Sequence, residues 1–504
     1  MMRIPLSLRL RRRHCALALA AAALVAAAPA GAEPRPGLSP CRLEGVEHEV
    51  LCGTLMRPLD PAEPQGRQIE LHYAVLPALA RQRKPDPVVF FAGGPGQSAI
   101  ELAGAVSRLT ARLGNRRDVV LIDQRGTGRS APLKCDEPAP TQPLADAVDA
   151  DRQAARLRSC RERLQALPHG DLRHYTSWIA AQDADAVRRA LGAEQVNLVG
   201  GSYGTRMVLE VMRQFPQTVR RAVMDGVAPP DMALPAAIST DSQAALDALW
   251  AACAAQPACA QRHPRLREDW RALLAALPRE VTLRHPFTGA DERLTLTRPA
   301  VLALARAPLY APALAAGLPH AVAEAARGRF EPLAGLASAL ASSRSALLAE
   351  GMHFSVVCAE DLPRLDAAAA ATDAPGADFG TLFADQYRTH CSGWPRGAVP
   401  EAFYTLGPAP AATLVLSGGA DPATPPRHGE RVVQALGAKA RHVVVPEAGH
   451  GTMGLSCLRD ALFRFIDAAT DAQALAVDAD CARGLPRPPA FVPPGAAGVQ
   501  EAAR

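Results

Sequence analysis

The chain has 504 residues, 48% apolar and 21% charged, with a formal net charge of +5. Such a composition is that of a globular protein and excludes a disordered or fibrous one. Arg3, Arg9, Arg11, Arg12 and Arg13 all precede the first acid, Glu33. The chain beyond residue 32 is therefore formally neutral, which gives no reason to expect nucleic acid or an anionic membrane as a partner.

The first 32 residues read as a secretory signal peptide. The arginines form its basic end, 16–28 is an apolar run, and Ala30-Gly31-Ala32 supplies small residues for cleavage. The run is too short to span a bilayer comfortably. A twin-arginine signal fits the flanking residues poorly, and Cys15 lies inside the run, which disfavours a lipoprotein. The expected location is periplasmic or secreted, with no membrane contact after cleavage. Ten cysteines remain, an even number that reads as disulfides in an exported chain. Sequential pairing closes short loops: Cys41 with Cys52, Cys135 with Cys160, Cys253 with Cys259, Cys358 with Cys391, and Cys457 with Cys481.

Next come two strands, 48–56 and 68–76. In the second, Ile69, Leu71, Tyr73 and Val75 alternate with the intervening positions. Pro61, Pro64 and Gly66 between them point to an antiparallel pair. From residue 88 the rhythm changes to short apolar runs at 88–91, 118–122, 196–199 and 221–224, the pattern of strands buried on both faces. Helices are expected at 177–191 and 205–214. This alternation predicts a doubly wound, mostly parallel α/β sheet. It stops near Pro229-Pro230. Up to about residue 400 the chain is helical and Ala/Leu-rich with little strand signal, and 366–378 reads as a low-complexity loop. Strands return at 413–416 and 442–445, with helices near 428–436 and 455–468. The tail after Cys481 is Pro-rich and extended.

Gly200-Gly201-Ser202-Tyr203-Gly204 sits between a strand and a helix, the context in which G-x-S-x-G marks a nucleophile. A serine hydroxyl needs a base, and the base needs an orienting acid. With this elbow the chain order is serine, acid, histidine. Asp421 follows the strand at 413–416, and Gly-flanked His450 follows the strand at 442–445. Both fall beyond strand C-termini, where α/β sheets gather their sites; Glu447 is the competing acid. Acyl transfer also needs oxyanion donors. Tyr203 N–H is the first. The second is expected from the loop Ala92-Gly93-Gly94-Pro95-Gly96, with Gly94 ahead of Gly93. Asp123-Gln124-Arg125-Gly126-Thr127-Gly128 lacks a nucleotide-loop arrangement and reads as a structural turn below the site. No metal or organic cofactor is called for.

Together these motifs resemble the proline iminopeptidase and tripeptidyl aminopeptidase-like family of α/β-hydrolases. The DQRGTG segment at 123–128 is the most family-specific piece. Where some relatives carry His or Asn-Pro before the paired glycines, this chain has Ala92. The resemblance implies an α/β-hydrolase fold with a helical cap at 229–400, between core parts at 33–228 and 401–504, the latter TAP-like. It implies a serine aminopeptidase that takes a peptide substrate, of prolyl or tripeptidyl type. Binding a free N-terminus calls for a carboxylate. The segment ending in Cys358-Ala359-Glu360-Asp361 looks like the family's source of such acids, Glu360 first and Asp361 second. A carboxylesterase or lipase with the same triad is the alternative reading, and a non-catalytic binding protein on this scaffold is a further one.

Overall fold

The computed structural model describes residues 37–344, 348–366 and 377–493. The expected signal segment, most of the loop at 366–378 and the end of the tail lie outside the described residues. The chain divides after Ser39, and the unit from Pro40 onward is the one considered below. A short strand, β1 (Leu38–Cys41), straddles that division.

Short apolar runs make the main sheet because each is covered on both faces. β2 (Val50–Pro58) and β3 (Gln68–Leu76) form the expected antiparallel pair. β4 (Val88–Phe91), β5 (Val119–Ile122), β6 (Val196–Gly201), β7 (Val219–Asp225), β10 (Thr413–Gly418) and β11 (Ala440–Val445) follow, and these six are mutually parallel. The spatial order is β2-β3-β5-β4-β6-β7-β10-β11. The crossovers include helices α1 (Ala150–Gln165), α2 (Ser177–Ala190) and α3 (Tyr203–Gln214). Met207, Val208 and Val211 of α3 are buried, each contributing about 1.5–3 kcal/mol.

Between β7 and β10 the chain is mostly helical, with a core of its own around Trp250, Trp270, Val301 and Phe330. The helices used below are α4 (Leu234–Ala255), α5 (Arg298–Leu309), α6 (Glu350–Glu360) and α7 (Leu382–His390). One feature differs from expectation: β8 (Arg279–Arg284) and β9 (Asp291–Leu296) form an antiparallel hairpin here. Its signal is only Leu283, Leu294 and Leu296 turned inward, a short period-two pattern among Ala/Leu-rich helices. After β10 come α8 (Pro426–Leu436) and, beyond β11, α9 (Ser456–Asp467), whose Leu458, Leu462 and Phe465 pack under the sheet.

All five disulfides join consecutive cysteines, as the spacing suggested. Cys358–Cys391 ties α6 to the end of α7.

Candidate active site

Ser202 closes β6 and caps α3 with φ 54° and ψ −126°. A non-glycine residue held there stores roughly 1–3 kcal/mol of strain. Two glycines make the tight turn feasible. A Cβ on Gly200 would lie 2.4 Å from the Gly204 carbonyl oxygen, and one on Gly204 would lie 2.2 Å from that of Phe91. Strand and helix therefore approach closely only because both positions lack side chains, and the serine is lifted off the end of the sheet.

Asp421 and His450, 29 residues apart, meet here: His450 Nδ1–H donates to Asp421 Oδ2 at 2.8 Å. Asp421 also accepts the Ala423 and Thr424 N–H groups on Oδ1 and the Thr424 hydroxyl on Oδ2. Burial pushes its carboxyl up, but His450 and these donors outweigh burial and hold it below the usual carboxylate range. The competing acid, Glu447, is taken by Arg487 instead. The Ser202 N–H donates to the Asp225 carbonyl at 2.8 Å. The next residue, Gly226, lies beside the imidazole: a Cβ built there would sit 3.6 Å from His450 Cε1 and 3.5 Å from Asp421 Oδ2. Among the described residues neither Ser202 Oγ nor His450 Nε2 has a hydrogen-bond partner. Such contacts are often long in ligand-free enzymes and tighten with substrate.

Three supporting groups were not foreseen. Buried Asp225 accepts the Thr452 and Met453 N–H groups at 2.6 and 2.7 Å and the Thr452 hydroxyl at 2.8 Å, anchoring the loop that carries His450. An acid followed by glycine at a strand C-terminus was the available signal. Thr424 shares the Asp421–His450 bond, with its Oγ1 3.2 Å from His450 Nδ1. Tyr310 accepts the His450 N–H on its carbonyl and sets its ring edge-on to the imidazole, centroids 5.1 Å apart. Nothing local in the sequence links residues 310 and 450.

The Gly93–Gly96 loop lies against the serine, since a Cβ on Gly93 would be 3.2 Å from Ser202 Cβ. Gly94 has φ +112°, a backbone state suited to glycine, and precedes a cis peptide to Pro95. Among the described residues no acceptor engages the N–H of Gly94 or of Tyr203. Both main-chain donors are thus available to a substrate oxygen.

Glu360 and Asp361, expected to receive a substrate N-terminus, have internal partners. Both are fully buried. Glu360 accepts the Ser177 N–H at 2.5 Å, the Ser177 hydroxyl at 2.9 Å and Arg206 at 3.1 Å. Asp361 takes a two-pronged contact from Arg206, 3.0 Å on each oxygen, and the Leu234 N–H. Arg206 of α3 thus pairs with both acids inside the protein. Burial raises the Glu360 carboxyl to about 7; Arg206 opposes the rise and neighbouring Asp361 adds to it. Tyr203 joins this cluster through Ser177 at 2.7 Å and also accepts from Gln124 at 2.8 Å.

The DQRGTG segment is a structural turn. Asp123 accepts from the Ser98 hydroxyl and the N–H groups of Ile100 and Arg129. Buried Arg125 pairs with Asp183 of α2 and donates to three carbonyls, those of Pro58, Leu59 and His174.

Residues 86–285 match a family model described as alpha/beta hydrolase fold, and residues 376–477 one described as TAP-like protein. The chain is similar to a tripeptidyl aminopeptidase of Streptomyces lividans, 34% identical over 196 residues, which is 36% of each chain. Serine protease Hip1 of Mycobacterium tuberculosis is 32% identical over 218 residues, 40% of this chain and 42% of that one. Carboxylesterase B of Mycobacterium tuberculosis is 29% identical over 227 residues, 41% of this chain and 42% of that one. Each match spans under half of the relative's own length. The first model falls on the part of the sheet that carries Ser202 and the second on the part that carries Asp421 and His450, so the chain belongs to the α/β hydrolases, as a serine-hydrolase family member with a TAP-like C-terminal part.

Proposed function

We propose that this protein is an exported aminopeptidase that releases N-terminal residues from peptides through an acyl-enzyme on Ser202. The observation that carries the reading is the 2.8 Å His450–Asp421 bond beside a serine held at φ 54°. His450 takes the Ser202 proton as the oxygen attacks the scissile carbonyl, and Asp421 holds the imidazole in the tautomer that leaves Nε2 basic. The N–H groups of Tyr203 and Gly94 receive the negative charge that develops on the carbonyl oxygen. His450 then returns the proton to the leaving amine. Water repeats the sequence on the ester and frees Ser202.

The helical segment at 229–400 acts as a cap. The Tyr310 carbonyl on the His450 N–H and the Ala349 N–H on the Gly96 carbonyl, 2.9 Å each, support that role. Five disulfides suit an oxidising compartment, and we place the mature protein in the periplasm or outside the cell. The similarity to a tripeptidyl aminopeptidase supports a peptide substrate. The similarity to a carboxylesterase keeps ester hydrolysis as the second reading.

Fluorophosphonate labelling tests the chemistry, and a panel of aminoacyl and peptidyl arylamides beside short acyl esters tests the substrate. The expected result is labelling that Ser202→Ala abolishes, with turnover of free-amine arylamides. Absence of labelling removes the triad; turnover of esters alone replaces the peptidase with an esterase.

A further inference from the structure

A cavity of about 240 Å³ lies among α1, α5, α6 and α7, with Arg156, Arg306, Glu350, Phe383, Gln386 and Tyr387 in its walls. Side-chain contacts link its walls to the candidate site on two sides. On one side Arg306 donates to the Tyr310 hydroxyl at 2.5 Å, and Tyr310 backs His450. On the other, the Tyr387 hydroxyl donates to His353 Nε2 at 2.8 Å, while His353 Nδ1–H donates to the Pro95 carbonyl at 3.1 Å, next to Gly94. Helix α6 itself starts from the glycine loop, through Ala349 N–H on the Gly96 carbonyl. The cavity thus lies two side chains away from both the base and the oxyanion loop.

Its charges do not balance. Arg156 and Glu350 neutralise each other in a two-pronged pair, 2.7 Å on each oxygen. Arg306 donates from Nε to the Ser242 hydroxyl at 2.9 Å and lies over the rings of Tyr310 and Phe383. Among the described residues no carboxylate comes within salt-bridge distance of it. A part-buried guanidinium surrounded by hydroxyls and ring faces has a free edge, and its strongest partner is a carboxylate held in charge-assisted hydrogen bonds.

We propose that Arg306 makes this cavity an acyl-side subsite for an acidic side chain, so that the enzyme favours acyl groups that carry a carboxylate, as Asp or Glu close to the scissile bond does. The proposal rests on Ser202 being the nucleophile. The acyl side follows from its place: its walls are linked both to the support of His450 and to the glycine loop, between which the scissile carbonyl would be held.

The test compares kcat/KM for two matched pairs: peptidyl arylamides with Glu or Gln in the acyl portion, and p-nitrophenyl glutarate against p-nitrophenyl hexanoate. The acidic member should win by at least fivefold in the wild type. In Arg306→Gln the ratio should fall to about one, whatever happens to the absolute rates. Gln386→Glu, which puts a competing carboxylate in the same wall, should cut the ratio too and serves if Arg306→Gln does not fold. No acidic preference in the wild type, or one that survives both substitutions, overturns the proposal. Acid-selective ester cleavage without arylamide cleavage would sink the peptidase reading and leave this one standing. Arylamide cleavage without acid preference would do the reverse.

Discussion

Removing the Asp225 carboxylate should detach the loop that carries His450. Asp225 is buried at the end of β7, and its Oδ2 accepts two main-chain N–H groups, of Thr452 and Met453, at 2.6 and 2.7 Å. Asp225→Ala strands both donors, at about 1–3 kcal/mol each, so the expected loss of stability is roughly 2–6 kcal/mol. Asp225→Asn behaves differently. Its amide oxygen can accept both N–H groups, and its NH2 can donate to the Thr452 hydroxyl, which then accepts instead of donating. Burial already pushes the Asp225 carboxyl up, so giving up the charge costs only about 1 kcal/mol. In activity the contrast should be larger, because a displacement of ~1 Å at a catalytic group lowers the rate about 100-fold. Urea unfolding gives the stability, and the fluorophosphonate labelling rate of Ser202 in the folded fraction gives the competence of the site. The expected order is wild type, then Asn close behind, then Ala far below. An Ala variant within about 0.5 kcal/mol of wild type, labelling at the same rate, would refute the anchoring role.

Three further outcomes follow from the same geometry. Asp421→Asn should lower kcat by about 10⁴ with little change in KM, because an amide NH2 facing Nδ1 forces the proton onto Nε2, where it cannot receive that of Ser202; steady-state kinetics on the best substrate checks this. Glu360 titrates higher in the folded chain, about 7 against an ordinary 4.5, so the folded state holds its proton more tightly. Its contribution to stability is full below pH 4.5 and is lost as pH rises through 7, on the order of 3 kcal/mol; unfolding free energies should therefore fall less between pH 5 and 8 in Glu360→Gln than in wild type. Gly204→Ala drives a Cβ to 2.2 Å from the Phe91 carbonyl oxygen, main chain that yields only if α3 leaves β4. The cost is about 3 kcal/mol or more, read as a lowered Tm, and intact stability would mean a looser elbow than described.

Local pattern carried the sheet and the serine turn. A buried parallel strand has to be a short apolar run, and a strained strand-to-helix turn has to be lined with small residues, so both leave marks within a few positions. The order of Ser202, Asp421 and His450 was readable for the same reason, because each follows a strand that announces itself. Consecutive cysteine pairing was legible because each bridge closes a short loop. Charge pairing was not. Whether Glu360 faces a substrate or an internal cation depends on Arg206, 154 positions away, and no neighbour of either residue encodes that meeting. The same holds for Tyr310 behind His450 and for Asp225 under the loop at 452–453. Backbone conformation and burial are properties of a segment, whereas the partner of a buried polar group is a property of the packed chain. Folding alone decided which acids were consumed inside, and that Arg306, among the described residues, has no acid beside it.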